Sequence, residues 1–207
     1  MGDIPYTRNR TSPEREEAIR ESIRRADHIP GSSASGRLAT LDDAPEFLAL
    51  FEHPAINKWI YSIPRPLTLE SVRAFIQDAL DMQARGEVLL ALNRGEHGEV
   101  TGYSEVRVWP EWAAGEVAGA ISPDRQNKGQ GAAGMVTIFT WMFETFDLNL
   151  ICNTTALDNV RMQSLFRRME FDHQCNMENL RPDGTVRESQ VWEIPRERWF
   201  SMMAGRD

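Results

Sequence analysis

Arg125-Gln126-Asn127-Lys128-Gly129-Gln130-Gly131-Ala132-Ala133-Gly134 is the stretch whose reading decides the fold. Before it, residues 116–122 read as a short strand closed by Pro123. After it, Met135, Val136, Phe139, Met142, Phe143 and Phe146 recur at helical spacing and make a broad apolar face, so the helix they form is central and buried. A glycine-bearing loop at the start of a helix presents unpaired backbone N–H groups and the positive end of the helix dipole. Such a loop favours a phosphate or pyrophosphate ligand.

Three phosphate motifs compete for these glycines. Residues 129–134 spell G-x-G-x-x-G, the dinucleotide fingerprint. That motif needs its first glycine at the end of the strand, and here the six residues 123–128 intervene. The next strand ends Asn153-Thr154-Thr155, without the acidic residue that holds a ribose. A triphosphate loop places its lysine after the glycines and follows it with Ser or Thr, whereas Lys128 precedes them. The third pattern, Q/R-x-x-G-x-G/A, fits residues 126–131.

Working outward, residues 148–154 form a strand with a continuous apolar start, which suits an interior position. Strand, loop, helix and strand in that order predict a parallel crossover. Upstream, residues 88–92 and 100–109 read as an antiparallel hairpin, with Tyr103, Glu105, Arg107 and Trp109 on one face. Two amphipathic helices precede it. One carries Ala44, Phe47, Leu48 and Phe51; the other is capped by Thr68 and carries Val72, Phe75, Ile76, Ala79 and Leu80. Pro54 ends the first of these, and residues 57–65 form an aromatic loop with Trp59 and Tyr61. A short strand is expected at 38–41. Downstream, Asp158 or Asn159 caps a helix with Met162, Leu165, Phe166 and Met169, and residues 171–177 and 186–194 close the chain as a hairpin. Ser12-Pro13 starts a helix that runs to about residue 27. Its apolar stripe of Ile19, Ile23 and Ala26 is thin, which predicts a solvated helix lying on the domain, with a homodimer contact or a substrate lid as the alternative. Residues 1–36 are expected as a helical extension and linker, and 37–207 as the folded domain.

The chain of 207 residues carries 23 Lys and Arg against 31 Asp and Glu, a net charge of −8. That balance argues against nucleic acid as the partner, because phosphate neutralisation needs a basic face. Two cysteines, Cys152 and Cys175, make no disulfide framework, and no histidine or cysteine spacing suits a metal. No secretory signal core is visible, and the most apolar stretch is too short to span a bilayer, so a cytoplasmic location without membrane contact is expected.

With these elements in order, residues 37–194 resemble the GNAT acetyltransferase superfamily. Gln126-Asn127-Lys128-Gly129-Gln130-Gly131 is similar to its acetyl-coenzyme A pyrophosphate loop. Arg37-Leu38, Asp42-Asp43-Ala44 and Ile56-Asn57-Lys58-Trp59 resemble the start of the ribosomal-protein N-terminal acetyltransferase branch, and Glu116-Val117 with Ile121-Ser122-Pro123 resembles its strand before the loop. The resemblance implies a mixed, mostly antiparallel α/β sheet flanked by helices. It also implies acetyl-CoA as acyl donor, and an amine acceptor that is a small molecule or a protein N-terminus. Asn159 and the run to Phe171 resemble the family's last motif, with three departures. Met162 stands in place of Ser or Ala, Glu170 in place of Gly, and Phe166 where many members carry the tyrosine that protonates the leaving thiolate.

Direct transfer from a thioester to an amine needs a bound cofactor, a polarised carbonyl, a base and an acid. The resemblance assigns cofactor binding to Ile121, Ser122, Gln126, Asn127, Lys128, Gly129, Gln130, Gly131, Ala132 and Asn159. The oxyanion task falls on a backbone N–H near residues 120–122. For the base, Glu116 resembles the carboxylate that begins the corresponding strand in several family members, and Glu105 on the neighbouring strand is the second candidate. Tyr103 is an acid only if its face points to the cofactor. Trp59 and Tyr61 line an acceptor pocket or seal a core edge. The alternatives to an N-acetyltransferase are an acyl-CoA-binding sensing module without catalysis and a transferase of another acyl group.

Overall fold

The computed structural model describes residues 4–31, 36–126 and 130–205. The calls at Asn127, Lys128 and Gly129 lie outside the described residues. Eight strands form one sheet in the order β1-β2-β3-β4-β5-β6-β8-β7: β1 His28–Ile29, β2 Gly36–Leu38, β3 Val88–Arg94, β4 Val100–Trp109, β5 Ala114–Ile121, β6 Leu150–Ala156, β7 Asp172–Leu180 and β8 Val186–Pro195. Every pairing is antiparallel except β5 with β6. The mixed, mostly antiparallel sheet and the parallel crossover agree with the expectation from sequence.

Helices cover both faces. Alternation along β3 divides its side chains between two cores. Leu89 and Ala91 pack with α1 (Pro13–Arg25), α5 (Gln130–Thr145), α6 (Val160–Arg168) and α7 (Arg196–Ala204). Val88, Leu90 and Leu92 pack with α2 (Ala44–Glu52), α3 (Pro54–Asn57) and α4 (Leu69–Ala84). With both faces covered, β3 is apolar along its first five residues.

Several local expectations change. The strand expected at 38–41 stops at Leu38, because the Asp43 carboxylate takes the Thr40 N–H at 2.7 Å and a 3-10 turn begins. Pro54 ends one helix and also opens another, α3, since proline suits a first turn. The long helix begins at Gln130 rather than Met135, so Gly131 belongs to its first turn. The helix α1 is not a solvated appendage: Ile19 and Ile23 are buried in the larger core. Ile29, on β1 just after the helix, is buried in the same core, and Ala26 packs against it. The helix α7 has no counterpart in the sequence reading, although its Trp199 is fully buried against Phe139 and Phe143.

Candidate active site

The site forms where β5 parts from β6. Strand β5 ladders with β4 along the whole of β5, from Trp109↔Ala114 to Gly102↔Ile121. Strand β6 pairs with β5 only at Ala114↔Leu150 and Gly115↔Ile151. Beyond that point side chains bridge the gap. Asn153 donates its amide to the Val117 carbonyl, and Thr154 donates its N–H at 3.2 Å and its hydroxyl at 3.1 Å to one Glu116 carboxylate oxygen. Past Val117 the edge of β5 is open, and a cavity of about 950 Å³ occupies the space.

Small residues make this opening. Ala118, Gly119 and Ala120 line it. A Cβ at Gly119 would lie 2.6 Å from the Tyr103 carbonyl oxygen, so only glycine fits the close strand approach. The Ser122 N–H donates to the Thr101 carbonyl at 2.8 Å, which orients it toward β4. Backbone groups alternate sides along a strand, so those of Gly119 and Ile121 point into the cleft. The Gln126 side chain donates to the Ile121 carbonyl at 3.0 Å, in agreement with that direction. Of the two residues assigned to the end of this strand, Ile121 therefore has its amide aimed at the cleft, while the amide of Ser122 is engaged elsewhere. The first turn of α5 stands beside Ile121: a Cβ on Gly131 would come 3.4 Å from its Cδ1. Gly131 and Ala132 line the same cavity, as does Asn159, which caps α6 by accepting the Met162 N–H at 3.2 Å.

The charged floor of the cavity comes from β4 and β5. Direct cross-strand partners share a face, so Tyr103, Glu105 and Arg107 stand with Ala120, Ala118 and Glu116. Both candidate carboxylates thus face the cavity. Their surroundings differ. Glu105 pairs with Arg107 at 3.1 Å, and its second oxygen is buried with no partner among the described residues. Glu116 is buried, and burial pushes its pKa up to about 7, against the opposing pull of Arg107 and of the Thr154 hydrogen bonds. The Tyr103 hydroxyl is buried and unpartnered among the described residues; burial, then Glu105 and Tyr61, push its pKa well up, so the phenol keeps its proton. Phe166, by contrast, packs among Phe171 and Trp192 and carries no exchangeable proton.

From the far side come Tyr61 and Arg187. The Arg187 guanidinium lies over the Tyr61 ring, its central carbon 4.6 Å from the ring centre, and Arg187 donates to the Trp59 carbonyl at 2.9 Å. Trp59 and Tyr61 line the cavity rather than sealing a core edge. The sequence reading assigned no role to Arg107, Thr154 or Arg187. Arg107 had a signal, the alternation that places it beside Glu105; Arg187 had none, because it reaches the site from the last strand. Among the described residues no histidine, cysteine and carboxylate cluster could hold a metal, and no helix is long and apolar enough to cross a membrane.

Known proteins share this fold. The fold is similar to that of Mycobacterium smegmatis RimJ, solved with a CoA disulfide (14% identity, TM-score 0.71, 88% of this chain and 96% of that one). It is similar to RimL, a ribosomal alpha-N-protein acetyltransferase solved with coenzyme A (18% identity, TM-score 0.67, 81% and 97%). A ribosomal-protein-S5-alanine acetyltransferase structure from Vibrio fischeri is comparable (13% identity, TM-score 0.67, 83% and 98%). No curated protein sequence matches significantly. The model of the acetyltransferase (GNAT) domain family matches residues 37–172, which contain the parted strands, the glycine turn and both carboxylates. The chain therefore belongs to the GNAT acetyltransferases, enzymes that take their acyl group from acetyl-CoA.

Proposed function

We propose that this enzyme transfers an acetyl group from acetyl-CoA directly to a primary amine, with Glu116 as the base. The observation that carries the reading is Glu116 itself: a buried carboxylate in the cavity, with a pKa of about 7, at the point where β5 and β6 separate. A base tuned near the working pH balances its ionised fraction against its proton affinity.

The residues present fit the cofactor. The open edge of β5 at Gly119 and Ile121 suits an extended amide-bearing arm, and the start of α5 at Gln130, Gly131 and Ala132 suits a pyrophosphate. Gln126 and Asn159 border the same cavity. Asn127, Lys128 and Gly129 complete the proposed loop in sequence. When bound, acetyl-CoA supplies an activated thioester. The Gly119 and Ile121 amides are the donors aimed where a carbonyl oxygen gains charge. Glu105 offers its free oxygen to the incoming amine, and Glu116 removes the amine proton. Tyr103 holds a phenolic proton on the cavity face and is the donor we assign to the leaving sulfur in place of Phe166.

The acceptor is a small amine or a protein N-terminus. The likeness to enzymes that act on ribosomal proteins supports the second. The test is acetyl-CoA-dependent thiol release over a panel of amines and N-terminal peptides, alongside thermal melting. A saturating cofactor at a hundredfold its Kd adds about 2.7 kcal/mol to stability. Stabilisation by acetyl-CoA without thiol release on any amine would overturn the catalytic reading and leave a sensing module.

A further inference from the structure

The cavity has a second charged wall that acetyl transfer to a bare amine does not use. Arg187 is 7% exposed, and it spends two of its nitrogens on the protein: Nε on the Ser189 hydroxyl at 2.9 Å and Nη1 on the Trp59 carbonyl at 2.9 Å. Its third nitrogen, Nη2, is buried with no partner among the described residues. Arg181, across the β7–β8 hairpin, has a buried Nε in the same condition, and both side chains line the cavity. A buried guanidinium N–H without an acceptor costs free energy unless a ligand supplies one. The charges that face Arg187 are Glu116 and Asp158, together with the like charge of Arg181 and the Tyr61 phenol. Glu116 serves the amine, and Asp158 is exposed and lies 3.5 Å from Lys58. Burial holds the Arg187 pKa below its ordinary value, the sign expected where no carboxylate is close enough to compensate fully.

We propose that Arg187 and Arg181 form a carboxylate-binding subsite, so that the preferred acceptor is an amine bearing a carboxylate, with its amino end at Glu116 and Glu105 and its carboxylate end at the two arginines. Arginine fits this task because its planar fork meets a carboxylate with charge-assisted hydrogen bonds. The Tyr61 ring belongs to both ends of the site: the Arg187 guanidinium lies over it at 4.6 Å, and the Glu116 charge acts on its phenol. The inference rests on the acetyltransferase reading for its amine end but not for its carboxylate end. The shared chemistry is that of a free amino acid or of an acidic side chain beside a peptide N-terminus.

The experiment measures kcat/KM by thiol release for free α-amino acids against their α-carboxamides, and for peptides with Asp against Asn at the second position. The expected result is a preference for the carboxylate form of tenfold or more in one of the two series, and the series that shows it identifies the source. R187Q should collapse that ratio to near one, and R181Q should lower it several-fold. A ratio near one in both series for the unmodified protein overturns the proposal, as does an unchanged ratio in R187Q that melts normally. Should R187Q fail to fold, R181Q decides in the same way, because its hairpin position leaves the Trp59 anchor intact. If no amine is turned over, the acetyltransferase reading fails separately. Calorimetric titration of the same acids and amides into CoA-saturated protein then decides: binding of the acid alone upholds the subsite, and equal or absent binding overturns it.

Discussion

Asp43 and Glu116 are both buried carboxylates, and they are buried on opposite terms. Burial alone would raise the pKa of either. At Asp43 that tendency is outweighed by the Arg37 guanidinium, by the Thr40 N–H at 2.7 Å and by the Thr40 hydroxyl at 3.1 Å, and the group is held below its ordinary 3.8. At Glu116 burial dominates: Arg107 and the two Thr154 donors only moderate it, and the pKa stands at about 7. Asp43 lies at a helix start and stitches β2 to α2. Glu116 lies where a strand has lost its partner and faces a cavity. A satisfied carboxylate holds structure together, whereas an under-satisfied one is ready to take a proton.

The largest expected effect tests the Glu116 side of that contrast. E116Q should lower kcat by about 10²–10⁴-fold. In the unmodified protein the rate should rise with pH through a midpoint near 7, since the base must be ionised, and this acid limb should vanish in E116Q. Stability should move the opposite way. A carboxyl whose folded pKa is raised contributes fully below its unfolded value of 4.5 and loses that contribution as pH rises through about 7. Above pH 7, E116Q should therefore melt higher than the unmodified protein. A melting point that falls at pH 8 would break the comparison.

The Asp43 side makes the converse prediction. D43A removes a cap and leaves the Thr40 N–H and Arg37 without their acceptor, which should cost about 2–3 kcal/mol in urea unfolding. The stability that Asp43 provides is present above its unfolded pKa and lost as pH falls through the lowered folded one. The pH–rate profile of D43A should keep its midpoint near 7; a displaced midpoint would show that the two sites are coupled.

T154V is a finer probe. It deletes the hydroxyl that stabilises the ionised Glu116 while leaving the backbone N–H in place. The acid limb should shift upward by about half to one pH unit. A downward shift would mean that Thr154 does not stabilise the charged form.

The smallest effect lies away from both carboxylates. Glu170 adopts φ of +58° just after α6, the left-handed conformation in which the family usually has glycine. E170G should stabilise the fold by up to about 1 kcal/mol without changing the rate. The departure in residue type thus leaves the backbone frame of the motif unchanged: the Phe171 N–H still reaches the Phe166 carbonyl at 3.0 Å.

The fold was legible where the signals are local. The hairpin of β3 and β4, the crossover through α5, the cap at Thr68 and a cap at Asp158 or Asn159 follow from periodicity, turn chemistry and capping, each read within a few residues; the structure puts the second cap at Asn159. The roles of α1 and α7 were not legible, because a thin apolar stripe fits either a surface or a core and only the neighbours decide. The candidate site divides in the same way. Both carboxylates and the glycine turn lie on elements with clear patterns. The Arg187 wall depends on a residue more than a hundred positions away in sequence from Tyr61 and Trp59.

The sequence by itself determined the order of elements from the β3–β4 hairpin to the β7–β8 hairpin, the glycine turn at a helix start and the alternation that puts Glu105 and Arg107 on one face. All three follow from backbone geometry acting over short spans. Only the tertiary structure decided that β5 and β6 part after Gly115, that both carboxylates face the gap, and that Glu116 titrates near 7 while Asp43 titrates low. Those properties depend on burial and on charges brought together from distant strands, and desolvation belongs to a place in the fold rather than to a residue in the chain.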